Sequence, residues 1–172
     1  MDNAQLRRSV AAVRALFGAS ACSCALVDDD ESTLTFVAAD GAGADKIIGV
    51  QLPISRGIAG WAVMSGQPIA VRDVAADARF ARDVAEQTEY VPTSVLAAPM
   101  FDSAGEALGV LEVLDPGVDE ASDWLLAVLG TLAAAAAGLV ELDRAGGASG
   151  DTALEGLARQ VLAAVSTYEG RR

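Results

Sequence analysis

The stretch LPISRGIAGWAVMSGQPIAVRD, residues 52–73, decides how the rest of the chain is read. It leaves an apolar strand end at Leu52-Pro53-Ile54 and reaches Gly57. A short apolar run follows, Ile58-Ala59-Gly60-Trp61-Ala62-Val63-Met64. Ser65-Gly66-Gln67-Pro68 breaks that run, and Ile69-Ala70-Val71 begins a new strand. Gly57 and Gly60 fall on one side of a single helical turn, where a missing side chain lets other atoms approach the Ile58-Ala59 backbone. The approaching group is either a neighbouring strand or a small ligand.

Working outward, Leu6, Val10, Val13, Leu16 and Phe17 have the spacing of an amphipathic helix over 4–17, closed by Gly18. Residues 21–27 and 33–39 read as a hairpin around the acidic turn Asp28-Asp29-Asp30-Glu31. A loop over 40–43 leads to a third strand, 47–54. After the turn of helix at 57–64 come a fourth strand, 69–74, and a covering helix, 75–89. Two apolar strands, 94–101 and 107–114, flank the turn Asp102-Ser103-Ala104-Gly105-Glu106. A long helix spans 119–143, with Asp119 or Ser122 as its N-cap. A flexible linker is expected over 144–151, and a last helix over 152–168 with Leu154, Leu157, Val161, Leu162 and Val165 in one stripe. Mostly antiparallel strands with segregated helices make this an α+β domain.

Composition narrows the function. The chain has 172 residues, 52% of them hydrophobic, and a formal net charge of −12. That length supports one cored domain with an extension. No Lys/Arg cluster offers a footprint for a phosphate backbone, so nucleic acid is not an expected partner. The N-terminus has no signal-peptide pattern. Residues 124–140 carry no charge, but the alanine run 133–137 dilutes their hydrophobicity and no basic flank orients them, so a buried or dimer-packed helix is expected rather than a membrane span. The two cysteines, Cys22 and Cys24, lie on one strand face roughly 7 Å apart, unsuited to a mutual disulfide, and read as reduced cytoplasmic thiols.

The motifs Gly57-Ile58-Ala59-Gly60-Trp61, Gly66-Gln67-Pro68, Asp73-Val74 with Asp77-Ala78-Arg79-Phe80, Ser94 to Pro99, and Gly109-Val110-Leu111 occur in an order and spacing that resemble the GAF domain family. This is the small-molecule sensor module of signalling proteins, and the likeness runs over 4–143. It implies a twisted antiparallel sheet of about six strands. The terminal helices would cover one face, and loops or helices enclosing a ligand pocket the other. In members that bind cyclic nucleotides the pocket uses the backbone of the pair that is Ile58 and Ala59 here. It also uses positions matching Ala85, Thr88, Thr93 and Ser94. The acid such members set against the purine edge is Ala85 in this chain, and their Asn-Lys…Phe-x-x-x-Asp-Glu signature is absent, which disfavours a cyclic nucleotide.

Other family chemistries fare no better. Haem held through an axial imidazole requires histidine, and the chain has none. Covalent bilin attachment needs a cysteine in the covering region. The free methionine sulfoxide reductases of this fold need several cysteines over the pocket, and an iron–sulfur cluster wants about four thiolates. Without histidine no Ser/His/Asp or Cys/His relay can be built, and no phosphate-cradling Gly-Lys-Ser/Thr loop is present. No catalytic residue and no metal site are assigned, and the ligand's identity stays open.

Several residues admit two readings. Trp61 either stacks on a ligand or fills core. Phe36, Phe80 and Tyr90 are core or pocket wall. Arg56 meets an anionic ligand or solvent, and the carboxylates of 28–31 hold a weak cation or form a solvated tip. Cys22 and Cys24 are buried hydrophobes or, on a third reading, a redox pair.

The expectation is a non-catalytic cytoplasmic regulatory protein. It binds a small molecule through Ile58, Ala59, Trp61, Phe80, Thr88, Thr93 and Ser94, and relays its state through terminal helices that form a homodimer or meet a signalling partner. The alternative is the same fold without a ligand, serving as a dimerisation or protein-interaction scaffold.

Overall fold

The computed structural model describes residues 4–117 and 123–144. Two hairpins build its sheet. Strands β1 (Ala21–Val27) and β2 (Thr33–Gly41) pair antiparallel, as do β5 (Val95–Phe101) and β6 (Ala107–Leu114). β1 then pairs with β6 and joins the hairpins at the centre. Short strands β3 (Gln51–Pro53) and β4 (Ile69–Val71) close the edges, giving the order β3-β2-β1-β6-β5-β4 with every pair antiparallel. β1 and β5 are buried on both faces and read as continuous apolar runs, whereas β2 alternates.

Each sheet face has its own core. On one, helix α1 (Ala4–Leu16) buries Leu6, Val10 and Val13, and α5 (Asp123–Arg144) buries Leu125, Leu129, Ala133, Ala136, Ala137 and Val140. These pack on Cys22, Cys24, Leu111 and Val113. On the other face, helix α3 (Gly57–Ser65) lays Ile58, Ala59, Ala62 and Val63 against Ala25, Phe36, Val95, Ala97 and Val110. The molecule is therefore an α+β fold with terminal helices on one face and covering segments on the other. α5 is long and apolar enough to cross a membrane by length and composition, yet its buried stripe belongs to this core.

The structure corrects three segments. The expected strand over 47–54 is shortened to β3, because residues 44–47 form a turn of helix, α2 (Ala44–Ile47), and Gly49 takes φ +85°. The strand expected over 69–74 stops at Val71. The helix expected over 75–89 is only α4 (Arg82–Gln87). Before it, the Asp73 carboxylate accepts the Ala75 amide and the Asp77 carboxylate accepts the Arg79 amide, at 3.0 and 2.9 Å. Such local acceptors compete with helix formation. Asp73 and Asp77 thus cap turns, and the N-cap of α4 is Ala81. Arg144 ends α5 rather than opening the linker; residues 145–151, the helix 152–168 and the proposed N-caps Asp119 and Ser122 lie outside the described residues.

Candidate functional site

The glycines of the opening stretch explain how α3 reaches the sheet. A Cβ placed on Gly60 would lie 2.2 Å from the Ile54 carbonyl oxygen. The approaching group is therefore the chain's own backbone. Gly57 starts α3 at φ +75°, a left-handed conformation that side chains disfavour. Arg56 at the N-cap offers no side-chain acceptor to the first amides of α3.

Between α3, the sheet and the segment 80–92 lies a cavity of about 100 Å3. It is smaller than the roughly 300–1,000 Å3 usual for drug-sized ligands, so it suits a small one. Its floor is β1 and β6, its side wall Ile58 and Ala59, and its cover Phe80, Val84, Ala85, Thr88 and Tyr90. Phe36 completes the aromatic wall, so Phe36, Phe80 and Tyr90 are all wall residues. Of the expected binding residues, Ile58, Ala59, Phe80 and Thr88 come together here. The Thr88 hydroxyl donates to the Ala85 carbonyl at 2.9 Å and keeps its lone pairs for the cavity.

Trp61, Thr93 and Ser94 do not line this cavity. Trp61 lies in a separate outer depression, with the Arg79 guanidinium 4.8 Å from its ring centroid. It is half-buried and stands outside the main cavity. Thr93 and Ser94 serve the covering segment instead. The Asp115 carboxylate accepts the Thr93 amide and hydroxyl, each at 2.8 Å, the Ser94 amide at 2.9 Å, and the Tyr90 hydroxyl. Asp115 holds φ +48°, a left-handed conformation after β6.

Burial pushes the Asp115 carboxyl up, but the hydrogen bonds from Tyr90, Ser94 and Thr93 outweigh it and hold the group below the usual carboxylate range. Its contribution is therefore present above the unfolded pKa near 4 and is lost as pH falls through the lower folded value. Asp115→Ala is expected to cost about 2–3 kcal/mol in denaturant unfolding. It should also speed hydrogen exchange selectively over 88–94; a uniform change across the sheet would contradict this latch. Surface ion pairs Arg56–Asp83 and Lys46–Glu89 also hold the cover, and contribute less.

The residue that sequence reading missed is Glu112. On β6 Val110, Glu112 and Leu114 share the sheet face that α3 covers, with Glu112 and Leu114 lining the cavity, while Leu111 and Val113 face the terminal helices. Glu112 stands opposite Ser23 of β1, whose hydroxyl donates to its Oε2 at 3.4 Å. That is a long bond for a carboxylate, and no Lys or Arg is among the cavity-lining residues. Glu112 keeps some accessible surface because it borders the cavity, yet burial pushes its carboxyl up to about 7, with Ser23 pulling weakly back. The available signal was a lone acid on the apolar strand β6, between Leu111 and Val113.

The remaining candidates resolve plainly. Arg56 pairs with Asp83 at 2.7 Å. In the acidic turn, Asp28 accepts the Thr35 hydroxyl and Asp30 the Ser32 amide. Among the described residues no group of three or more His, Cys, Asp or Glu is placed to hold a metal ion. Cys22 and Cys24 are buried and free; burial pushes both thiols up, Cys24 to about 12.

A family model described as GAF domain matches residues 3–140. The dual 3',5'-cyclic-AMP and -GMP phosphodiesterase 11A of Takifugu rubripes is 32% identical over 66 residues, covering 38% of this chain. The match spans only 7% of that relative's length. The GAF domain of a phosphoenolpyruvate-protein phosphotransferase from Coxiella burnetii aligns with a TM-score of 0.72 at 25% identity, covering 84% of each chain. The free methionine-R-sulfoxide reductase from Neisseria meningitidis, solved with its substrate, gives 0.66 at 25% identity, covering 83% of this chain and 80% of that one.

Proposed function

The chain belongs to the GAF domain family, and on that premise we propose that it is a non-catalytic cytoplasmic sensor that binds a small molecule in the cavity under 80–92. The observation that carries this reading is an apolar, walled cavity whose floor holds polar groups with spare hydrogen-bonding capacity, Glu112 and Ser23. A scaffold that had lost its ligand would gain from filling that space, because empty volume and a buried carboxyl both cost stability.

Against catalysis stand the absence of histidine and the two thiols, buried and pushed up where a nucleophile needs to be exposed and acidic. The reductase is similar in fold and the phosphodiesterase over 66 residues of sequence, and this reading carries neither reaction over.

The relay we infer follows strand alternation. β1 and β6 present Ser23 and Glu112 to the cavity and Cys22, Cys24, Leu111 and Val113 to α1 and α5. A ligand that shifts the floor therefore shifts the surface on which the terminal helices pack. Ligand ordering of the cover would bias the same equilibrium. Leu16 of α1 and Trp124 and Leu142 of α5 are exposed, and they suit these helices to a second copy or a signalling partner.

The test is a thermal-shift panel of metabolites on the wild-type protein and on Ala85→Phe, which fills the cavity from α4. A compound at a hundredfold over its Kd should raise Tm by about 5–10 °C in the wild type and leave the variant unmoved. A shift of equal size in both proteins would place binding elsewhere. A panel without any hit would favour the dimerisation scaffold.

A further inference from the structure

Family members can meet their ligands through many polar arrangements, so the ligand's charge has to come from this cavity alone. Its lining residues carry one ionisable acid, Glu112, and one phenol, Tyr90, whose hydroxyl is taken by Asp115. The basic side chains paired around it are engaged: Arg14 with Asp40, Lys46 with Glu89, Arg56 with Asp83, and Arg79 with Asp77. An anionic ligand would therefore bring its charge beside a carboxyl, without a cationic side chain on the wall, into a protein of net charge −12.

The polar inventory of the floor is equally one-sided. When ionised, Glu112 only accepts, and the Ser23 hydroxyl at 3.4 Å serves its Oε2 alone. Among the described residues no partner serves Oε1. The neighbouring thiols of Cys22 and Cys24 on β1 belong to the opposite face of the sheet, and burial keeps both protonated. From β5 comes Ala97, and from α3 and α4 come Ile58, Ala59, Ala85 and Thr88, none of them titratable. A buried carboxylate with a spare oxygen and apolar surroundings is completed by a donor that carries positive charge, which also removes the desolvation penalty of the ion.

Resting on the sensor reading above, we propose that the ligand is a small organic cation, an amine or amidine on an apolar body, whose protonated nitrogen is held by Glu112 beside Ser23. Binding to the neutral acid drives the Glu112 proton to solvent and leaves a carboxylate–cation pair; no bond to carbon changes. The apolar body lies against Phe36, Ile58 and Phe80. Because the carboxyl titrates at about 7 in the empty cavity, affinity is linked to pH near neutrality.

The experiment uses three single-ring probes that differ only in charge: benzamidine, benzamide and benzoate. Each is titrated into the full chain at pH 6 and pH 8 by calorimetry, in two buffers of different ionisation enthalpy. The expected result is that benzamidine binds at least tenfold more tightly than benzamide and that benzoate does not bind. Benzamidine affinity should rise about tenfold from pH 6 to pH 8, with a proton released at the lower pH. In Glu112→Gln both the preference and the pH dependence should vanish. The wild-type pH dependence stands as a test even where that variant folds poorly. Benzoate or benzamide bound as tightly as benzamidine, or affinity that rises toward pH 6, would overturn the cationic class while leaving the cavity as a binding site. Failure of all three, with no resonance change at Ile58, Ala85 or Thr88, would overturn it together with the sensor reading.

Discussion

Glu112→Gln is expected to stabilise the protein above neutral pH, by about 3 kcal/mol at pH 8. The reason is the cost of an ionised carboxyl under the cavity. Burial raises the Glu112 pKa from an ordinary 4.5 to about 7, and each unit is worth about 1.4 kcal/mol between protonation states. The sign follows from proton counting. Between those two values the folded protein keeps a proton that the unfolded chain has released. The favourable term is thus complete below about 4.5, declines as pH rises, and is gone above the folded value near 7. Glutamine does not titrate, so the variant should show a flatter stability curve between pH 5 and 8 and match the wild type near pH 5. Urea unfolding at pH 5, 6.5 and 8 checks this. Parallel curves for the two proteins would mean that the Glu112 carboxyl reaches solvent freely. A site that is more stable without its acid is one where binding accounts for the acid's presence.

Gly60→Ala is expected to destabilise by about 3 kcal/mol, against the usual preference for alanine in a helix. The new Cβ would sit 2.2 Å from the Ile54 carbonyl oxygen. That contact is with backbone, so relief requires the β3–α3 connection to move away from the helix. α3 supplies Ile58 and Ala59 to the cavity wall, and the same displacement should weaken any ligand. Chemical denaturation of the variant, with the thermal response to a bound compound, measures both effects. Gly60→Ala of unchanged or raised stability would show that α3 does not pack against Ile54 as described.

The sheet was legible because its chemistry is local. Alternation, turn residues and the glycine-broken apolar run at 57–68 marked six strands, and the family resemblance implied the two faces. Segments near the cavity were harder, since side chains there compete with the backbone for hydrogen bonds. Asp73 and Asp77 turn the chain where periodicity suggested helix, and Asp115 gathers Tyr90, Thr93 and Ser94 from across the hairpin end. Small hydroxyls looked like ligand contacts in sequence; Thr88 lines the cavity, while Thr93 and Ser94 hold the cover in place. Glu112 went unread because its meaning depends on which face of β6 closes over empty space. No pattern along one strand carries that information.

The most direct test of the central claim, that the cavity over Ser23 and Glu112 holds a small molecule, is native mass spectrometry of the protein purified without denaturation. Denaturing release and identification of the bound species completes it. A near-stoichiometric organic molecule is expected on the wild type and is expected to be absent from Ala85→Phe. Equal occupancy in both proteins, or a wild type that stays bare across growth conditions and added metabolites, would contradict it.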